Sequence, residues 1–126
     1  MAGYLTSLFA FVLVAHGLVH LLGVAVYLEL ATVADLPYKT TLLGGAIDVG
    51  DSGMRIYGLL CGVAAVGFVA SAGALLVDWH SWRRLLVAVT LFSLGLTILD
   101  WTVASAGIAV NLIILAVLVA DIWNLV

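Results

Sequence analysis

The chain is 126 residues long, 13.2 kDa, with 66% apolar and 9% charged residues and a mean hydropathy of +1.33. An ordinary soluble domain carries roughly 25% charged residues, so this composition excludes a disordered chain and a water-soluble globule, neither of which could cover its surface with so few charges. Net charge is −3, from four basic residues against seven acids, too acidic to hold phosphate backbones, which excludes nucleic acid as a partner. The implied partner is the lipid bilayer, and the implied location is the cell (plasma) membrane, as a multi-pass protein. Cys61 stands alone, so there is no intrachain disulfide and no CxxC motif; in its apolar run it reads as a small, inert core residue.

Crossing hydrocarbon takes about 20 apolar residues, and four stretches are long enough: residues 4–28, 54–77, 85–103 and 107–126. In lipid the backbone must be satisfied within its own segment, so each stretch is a helix. The expected fold is all-α: one domain, a four-transmembrane-helix antiparallel bundle. The first span lacks a basic n-region and is too long for a cleaved signal peptide.

Between spans one and two, residues 29–53 are long for a connection and read as a surface lid or a short interfacial helix. Leu36-Pro37 breaks this loop, Leu42 to Ile47 dips into the interface, and Asp51 or Ser52 caps the second helix. Arg55 is expected to pair with Asp48, Asp51 or Asp100, or else to hold an anionic headgroup together with Tyr57. The loop between spans two and three holds His80, expected in solvent between two tryptophans, and the pair Arg83-Arg84. The positive-inside rule puts that loop and both termini in the cytoplasm and residues 29–53 outside. Ala104-Ser105-Ala106 before Gly107 reads as a tight turn joining antiparallel neighbours. Tyr4, Trp79, Trp82 and Trp123 are expected at one headgroup level, and Tyr27, Tyr57 and Trp101 at the other.

The polar residues within the spans repeat at alternating three- and four-residue steps, which places each set on one helix face. The stripes are Phe9, Leu13, His16, His20, Gly23, Tyr27; Tyr57, Cys61, Ala64, Phe68, Ser71, Leu75, Asp78; Thr90, Ser93, Thr97, Asp100; and Gly107, Asn111, Ile114, Leu118, Asp121. An Asp or His facing lipid costs on the order of 2–3 kcal/mol, so the four stripes are expected to converge on one axis. His16, His20, Ser93, Thr97, Asp100 and Asn111 then form a polar site in the outer half of the bundle.

His16 and His20 are four residues apart and share a face, close enough to ligate one metal ion, with Asp100 as third ligand and Asn111 behind it. The same imidazoles suit haem ligation, a hydrogen bond to a quinone carbonyl, or proton relay. Interhelical hydrogen bonds to Ser93, Thr97 or Asp100 would use them structurally, at about 0.6–2 kcal/mol each. Asp121 falls at the inner rim within reach of Arg83 or Arg84, an ion-pair clamp. Gly58-x-x-x-Gly62 is a close-packing motif; it serves either packing within the monomer or a seam with a second copy or a larger membrane complex.

Ala15-His16-Gly17-Leu18-Val19-His20-Leu21-Leu22-Gly23 resembles the HGxxHLLG first span of small uncharacterised four-helix membrane proteins of bacteria and archaea. Asp100 and Gly107-Ile108-Ala109-Val110-Asn111 stand where those proteins place an acid closing span three and a Gly-x-x-x-Asn opening span four. The resemblance implies the fold and no particular reaction.

Three functions fit the pattern. The first is an outward-facing His/Asp/Asn site for a small ligand, proton or metal ion. The second is an accessory or scaffolding subunit whose polar residues are structural. The third is a membrane enzyme acting on a lipid-soluble substrate such as a quinone, with His20 or Asp100 as acid or base; no nucleophile, cofactor motif or paired carboxylate in the sequence supports it.

Overall fold

The long apolar runs become four helices: α1 (Gly3–Tyr27), α2 (Gly50–Leu76), α3 (Trp82–Leu99) and α4 (Trp101–Ile122). Each is long and apolar enough to cross a membrane. The computed structural model describes all 126 residues. Helix α1 packs on α2, α2 on α3 and α3 on α4, while the α1–α4 seam is the loosest of the four. Facing positions run antiparallel: Gly17 meets Ala65 and Gly23 meets Cys61 across α1–α2, and Gly107 meets Thr97 across α4–α3.

Three helices stop the same way. At Glu29, Asp78 and Asn124 the backbone turns left-handed, with φ of 57°, 52° and 58°. Each of those N–H groups, and the next one along, donates back to the last helical turn; after α1 the bonds are Glu29 to Val26 and Leu30 to Ala25, at 3.0 and 2.8 Å. This paired closure satisfies carbonyls that the helix end would otherwise orphan. Asp78 is thereby an exposed cap residue and not the end of an inward stripe.

Residues 29–53 differ from the expected lid helix. Thr41–Leu42 (β1) pairs antiparallel with Ile47–Asp48 (β2). Leu43, Gly44 and Gly45 all have positive φ, at 54°, 65° and 91°, which reverses the chain and forbids a helix through Leu42–Ile47. The hairpin docks on the helix bundle. Leu42 is buried, the Leu43 N–H donates to the Leu99 carbonyl at 2.7 Å, and Gly44 packs against the Trp101 ring. Helix α2 starts earlier than residue 54, at Gly50, and neither Asp51 nor Ser52 caps it. Val49 holds the N-cap position without a side-chain cap, and Asp48 Oδ1, one residue further out, accepts from the Gly50 N–H at 2.9 Å.

The α3–α4 reversal also falls earlier than the Ala104–Gly107 turn expected. Asp100 is non-helical (φ −114°, ψ 35°) and serves as the boundary of both helices. A single helical turn follows, then a second break at Ala104 (φ −112°, ψ 18°), before α4 runs on to Ile122.

The stripes face inward. All their members are buried except Gly23 and Gly107, which are half-buried, and Asp78. Tyr27, Tyr57 and Trp82 are therefore core residues and not interfacial anchors, whereas Tyr4, Trp79, Trp101 and Trp123 are exposed. Two apolar clusters result. One, at the end holding both termini, includes Leu13, Phe68, Trp82, Leu86 and Ile114; the other, under the hairpin, includes Tyr27, Leu42, Met54, Tyr57 and Leu96. Between them lies a polar layer.

Candidate functional site

The polar layer is one continuous hydrogen-bonded chain across three helices. From α1, His16 Nε2 lies 3.0 Å from Asn111 Oδ1 on α4. The Asn111 amide Nδ2 donates to Ser93 Oγ at 3.0 Å and to Thr97 Oγ1 at 3.4 Å, both on α3. Ser93 Oγ in turn lies 2.7 Å from His20 Nε2. Thr97 Oγ1 donates to the Ser93 and Leu94 carbonyls, each at 3.0 Å.

The directions of these bonds constrain the tautomers. Asn111 Oδ1 can only accept, so the proton it takes is on His16 Nε2, which leaves His16 Nδ1 a bare acceptor. Ser93 Oγ accepts from Asn111 and keeps both a second lone pair and its own proton, so it either donates to His20 Nε2 or accepts from it, and His20 Nδ1 is a donor or an acceptor accordingly. Neither Nδ1 has a protein partner, and neither is sealed, since Thr90 Oγ1 is the one buried side-chain polar atom without a partner.

The rings are held by Phe68 of α2. It stacks on His20 (centroids 5.8 Å apart, planes 5° apart) and meets His16 edge-on at 4.8 Å; the two imidazoles are 5.1 Å apart. A fully buried aromatic wedge of this kind lets the rings turn little. Gly107 brings α4 close, since a Cβ there would lie 2.9 Å from Thr97 Cγ2 and 3.8 Å from His16 Cε1.

Asp100 does not join the histidines. Its Oδ2 accepts from the Tyr27 hydroxyl at 2.5 Å, and its Oδ1 is bonded to the Lys39 ammonium. Lys39 also reaches Thr102 Oγ1, at 3.4 Å. The carboxylate is 4% exposed, and a charge so placed must be paired. Lys39 is a site residue that the spacing of polar residues within the spans does not reveal; its one signal is being the sole lysine, in the loop opposite the only acid near that end of α3. Arg55, expected to pair with an acid, makes no ion pair and is exposed.

No three His, Cys, Asp or Glu side chains are grouped as a metal set. The proposed trio of His16, His20 and Asp100 fails as a metal centre because Tyr27 and Lys39 hold both carboxylate oxygens of Asp100. Asn111 likewise backs the histidines and not Asp100.

A cavity of 160 Å³ opens beside the chain, lined by His16, His20, Tyr27, Tyr57, Cys61, Thr97 and Asp100 and by apolar side chains. Its lining includes the exposed Val19 and Leu22 of α1 and the exposed Val103 and Ala106 of α4, which flank an opening at the α1–α4 seam, together with Ala104, Gly107 and, from the loop, Leu36. The second break, at Ala104, lies on this wall.

Two other predicted groups sit elsewhere. Arg83 Nε and Nη2 each lie 2.7 Å from Asp121 Oδ2, the Met1 amino group lies 3.7 Å from Asp121 Oδ1, and the Arg83 guanidinium covers the Trp82 ring at 4.6 Å. Arg84 takes no part and is exposed. Gly58 and Gly62 face α1, where a Cβ on Gly58 would lie 3.2 Å from Tyr27 and Leu28 and one on Gly62 would lie 3.5 Å from Val24. Both glycines serve α1–α2 packing within the monomer. In the loop, the exposed Tyr38 hydroxyl donates to Asp51 Oδ1 at 2.5 Å, and this bond pushes the phenol up to about 12. No protein-family model, no curated protein and no solved structure matches this chain, so its own geometry is what bears on function.

Proposed function

We propose that the protein is a multi-pass protein of the cell membrane that binds a small ligand at His16 and His20. The termini and the Arg83-Arg84 loop lie on the cytoplasmic side, and the hairpin and the site lie in the outer half. The apolar outer faces support membrane residence: large side chains such as Leu18, Leu21, Val63, Val66 and Leu112 are all more than half exposed or close to it, and water would not tolerate so continuous an apolar surface.

One observation carries the ligand reading. Two fixed imidazoles each commit one nitrogen to the Asn111–Ser93 chain and leave the other open, and both rings line one cavity. Purely structural histidines gain nothing from an adjoining void, because the lining loses contacts on its empty side. A scaffolding role through Gly58 and Gly62 is disfavoured, since α1 already covers them.

The test is solvent extraction and mass spectrometry of protein purified in mild detergent, for the wild type and His20→Phe, with thermal stability measured alongside. The expected result is a stoichiometric small molecule in the wild type and its loss in the variant, with the melting temperature lowered by a few degrees. Equal extracts together with a collapsed fold would show the histidines to be structural only.

A further inference from the structure

We infer that the ligand is a quinone-class lipid, with a single-ring head in the cavity and its isoprenoid or alkyl tail along the α1–α4 seam. This rests on the binding site proposed above and adds the ligand's chemistry and its route.

Size comes first. An apolar cavity of about 150 Å³ accepts one benzene ring, and this one measures 160 Å³. A single ring fits. Chemistry comes second. A quinone carbonyl needs a donor and a quinol hydroxyl needs an acceptor as well. His16 Nδ1 supplies the acceptor, and His20 Nδ1 supplies the donor in the tautomer in which the Ser93 hydroxyl donates to His20 Nε2. The rest of the wall is mostly apolar, as a ring face requires.

Route comes third. The exposed lining residues, Val19 and Leu22 of α1 and Val103 and Ala106 of α4, flank a side opening between these two helices. Further along the same seam, towards the termini, lies a second hollow of 210 Å³ with a wholly apolar lining that includes Leu8, Phe9 and Val12 of α1 and Ile113 and Val117 of α4. At about 1.5 Å of rise per residue, Val12 of this groove and Val19 of the cavity lip stand ~10 Å apart along α1. Head site and tail groove therefore share one seam, in the order and at the spacing that a one-tailed lipid needs. A water-soluble ligand would make no use of the groove.

Photolabelling in phosphatidylcholine nanodiscs tests this. The probe is a decyl-substituted benzoquinone with a diazirine at the tail end, and labelled residues are mapped by peptide mass spectrometry. Labels are expected on the groove residues of α1 and α4, with at least fivefold loss under excess unlabelled decylbenzoquinone. His20→Phe is expected to reduce groove labelling to the same extent. Ala106→Phe, which changes only an exposed residue on the lip, is expected to do so without affecting stability. Labels spread evenly over all lipid-facing surfaces, or groove labels indifferent to competitor and to Ala106→Phe, would overturn the inference. If the wild type then still carries a His20-dependent extracted molecule, the binding site stands and only the ligand class and tail route fall; if it carries none, both readings fall.

Discussion

Lys39 and Asp100 carry the sharpest consequence of a single side chain. The Asp100 carboxylate sits at the junction of α3 and α4, almost without water contact, and its charge is balanced by the Lys39 ammonium and the Tyr27 hydroxyl. Removing one member of a buried pair leaves an uncompensated charge, which costs about 3–5 kcal/mol when both are fully buried. Lys39 keeps a quarter of its side chain exposed, so Lys39→Met is expected to destabilise by about 2–3 kcal/mol. Adding Asp100→Asn removes the charge while keeping an acceptor for Tyr27, and the double variant should regain most of the loss. Thermal unfolding in detergent gives both numbers, and independent, additive losses would refute the pairing. Tyr38 gives a second test, in the same loop. Its phenol is raised from 10.0 to about 12, first by its hydrogen bond to Asp51. The folded state therefore holds the proton more tightly than the unfolded one. That contribution is complete below pH 10 and is lost as pH rises towards 12. Ultraviolet titration should show one tyrosine ionising late, and Asp51→Asn should return it towards the ordinary value.

Helix pairs show where sequence spacing was informative and where it was not. The three- and four-residue stripes placed His16, His20, Ser93, Thr97 and Asn111 on inward faces because burial of polar groups in an apolar setting admits no other solution. The same spacing could not say which partner each would choose. Asp100 was expected beside the histidines, but the short β hairpin brings Lys39 over it, and a cation outcompetes a neutral imidazole for a buried carboxylate. Loop geometry of this kind depends on successive left-handed residues at Leu43, Gly44 and Gly45, which no periodic pattern reports. Small residues were legible as close-packing sites, yet α1 and α2 also approach closely at Gly17, inside the HGxxHLLG segment, and not only at Gly58 and Gly62. A Cβ at Gly17 would lie 3.0 Å from the Ala65 carbonyl oxygen and 3.0 Å from Phe68 Cβ. The first of these atoms is backbone and cannot rotate away. Gly17→Val should therefore push α1 off α2 at a cost of about 1–3 kcal/mol. It should also loosen the Phe68 wedge, so the histidine ring signals in a nitrogen NMR spectrum should shift and broaden. Gly95→Ala, which adds a methyl where nothing lies within 4 Å, serves as the matched control and should leave both unchanged.

At the scale of the whole molecule, two ends of different character bracket the polar layer. At one, Arg83, Asp121 and the Met1 amino group tie α3, α4 and the N-terminus together; at the other, the hairpin closes over Tyr27, Asp100 and Lys39. This asymmetry is what gives the site a side and the molecule a direction. The positive-inside rule weighs the exposed Arg84 and the paired Arg83 alike, because it acts during insertion, before the ion pair with Asp121 exists. On that rule the arginine end is expected in the cytoplasm and the hairpin outside. Cysteine labelling can test that directly, since Cys61 is buried and Cys61→Ala provides a silent background. His80→Cys, in the exposed arginine loop, should react with a membrane-impermeant maleimide only after the cells are opened. Asp35→Cys, exposed in the hairpin loop, should react on intact cells. The reverse pattern would invert the molecule and place the histidine site in the cytoplasmic half. The α1–α4 seam would still open sideways into the bilayer, so a lipid-borne ligand would reach the imidazoles from either orientation, whereas a ligand arriving from outside the cell would not.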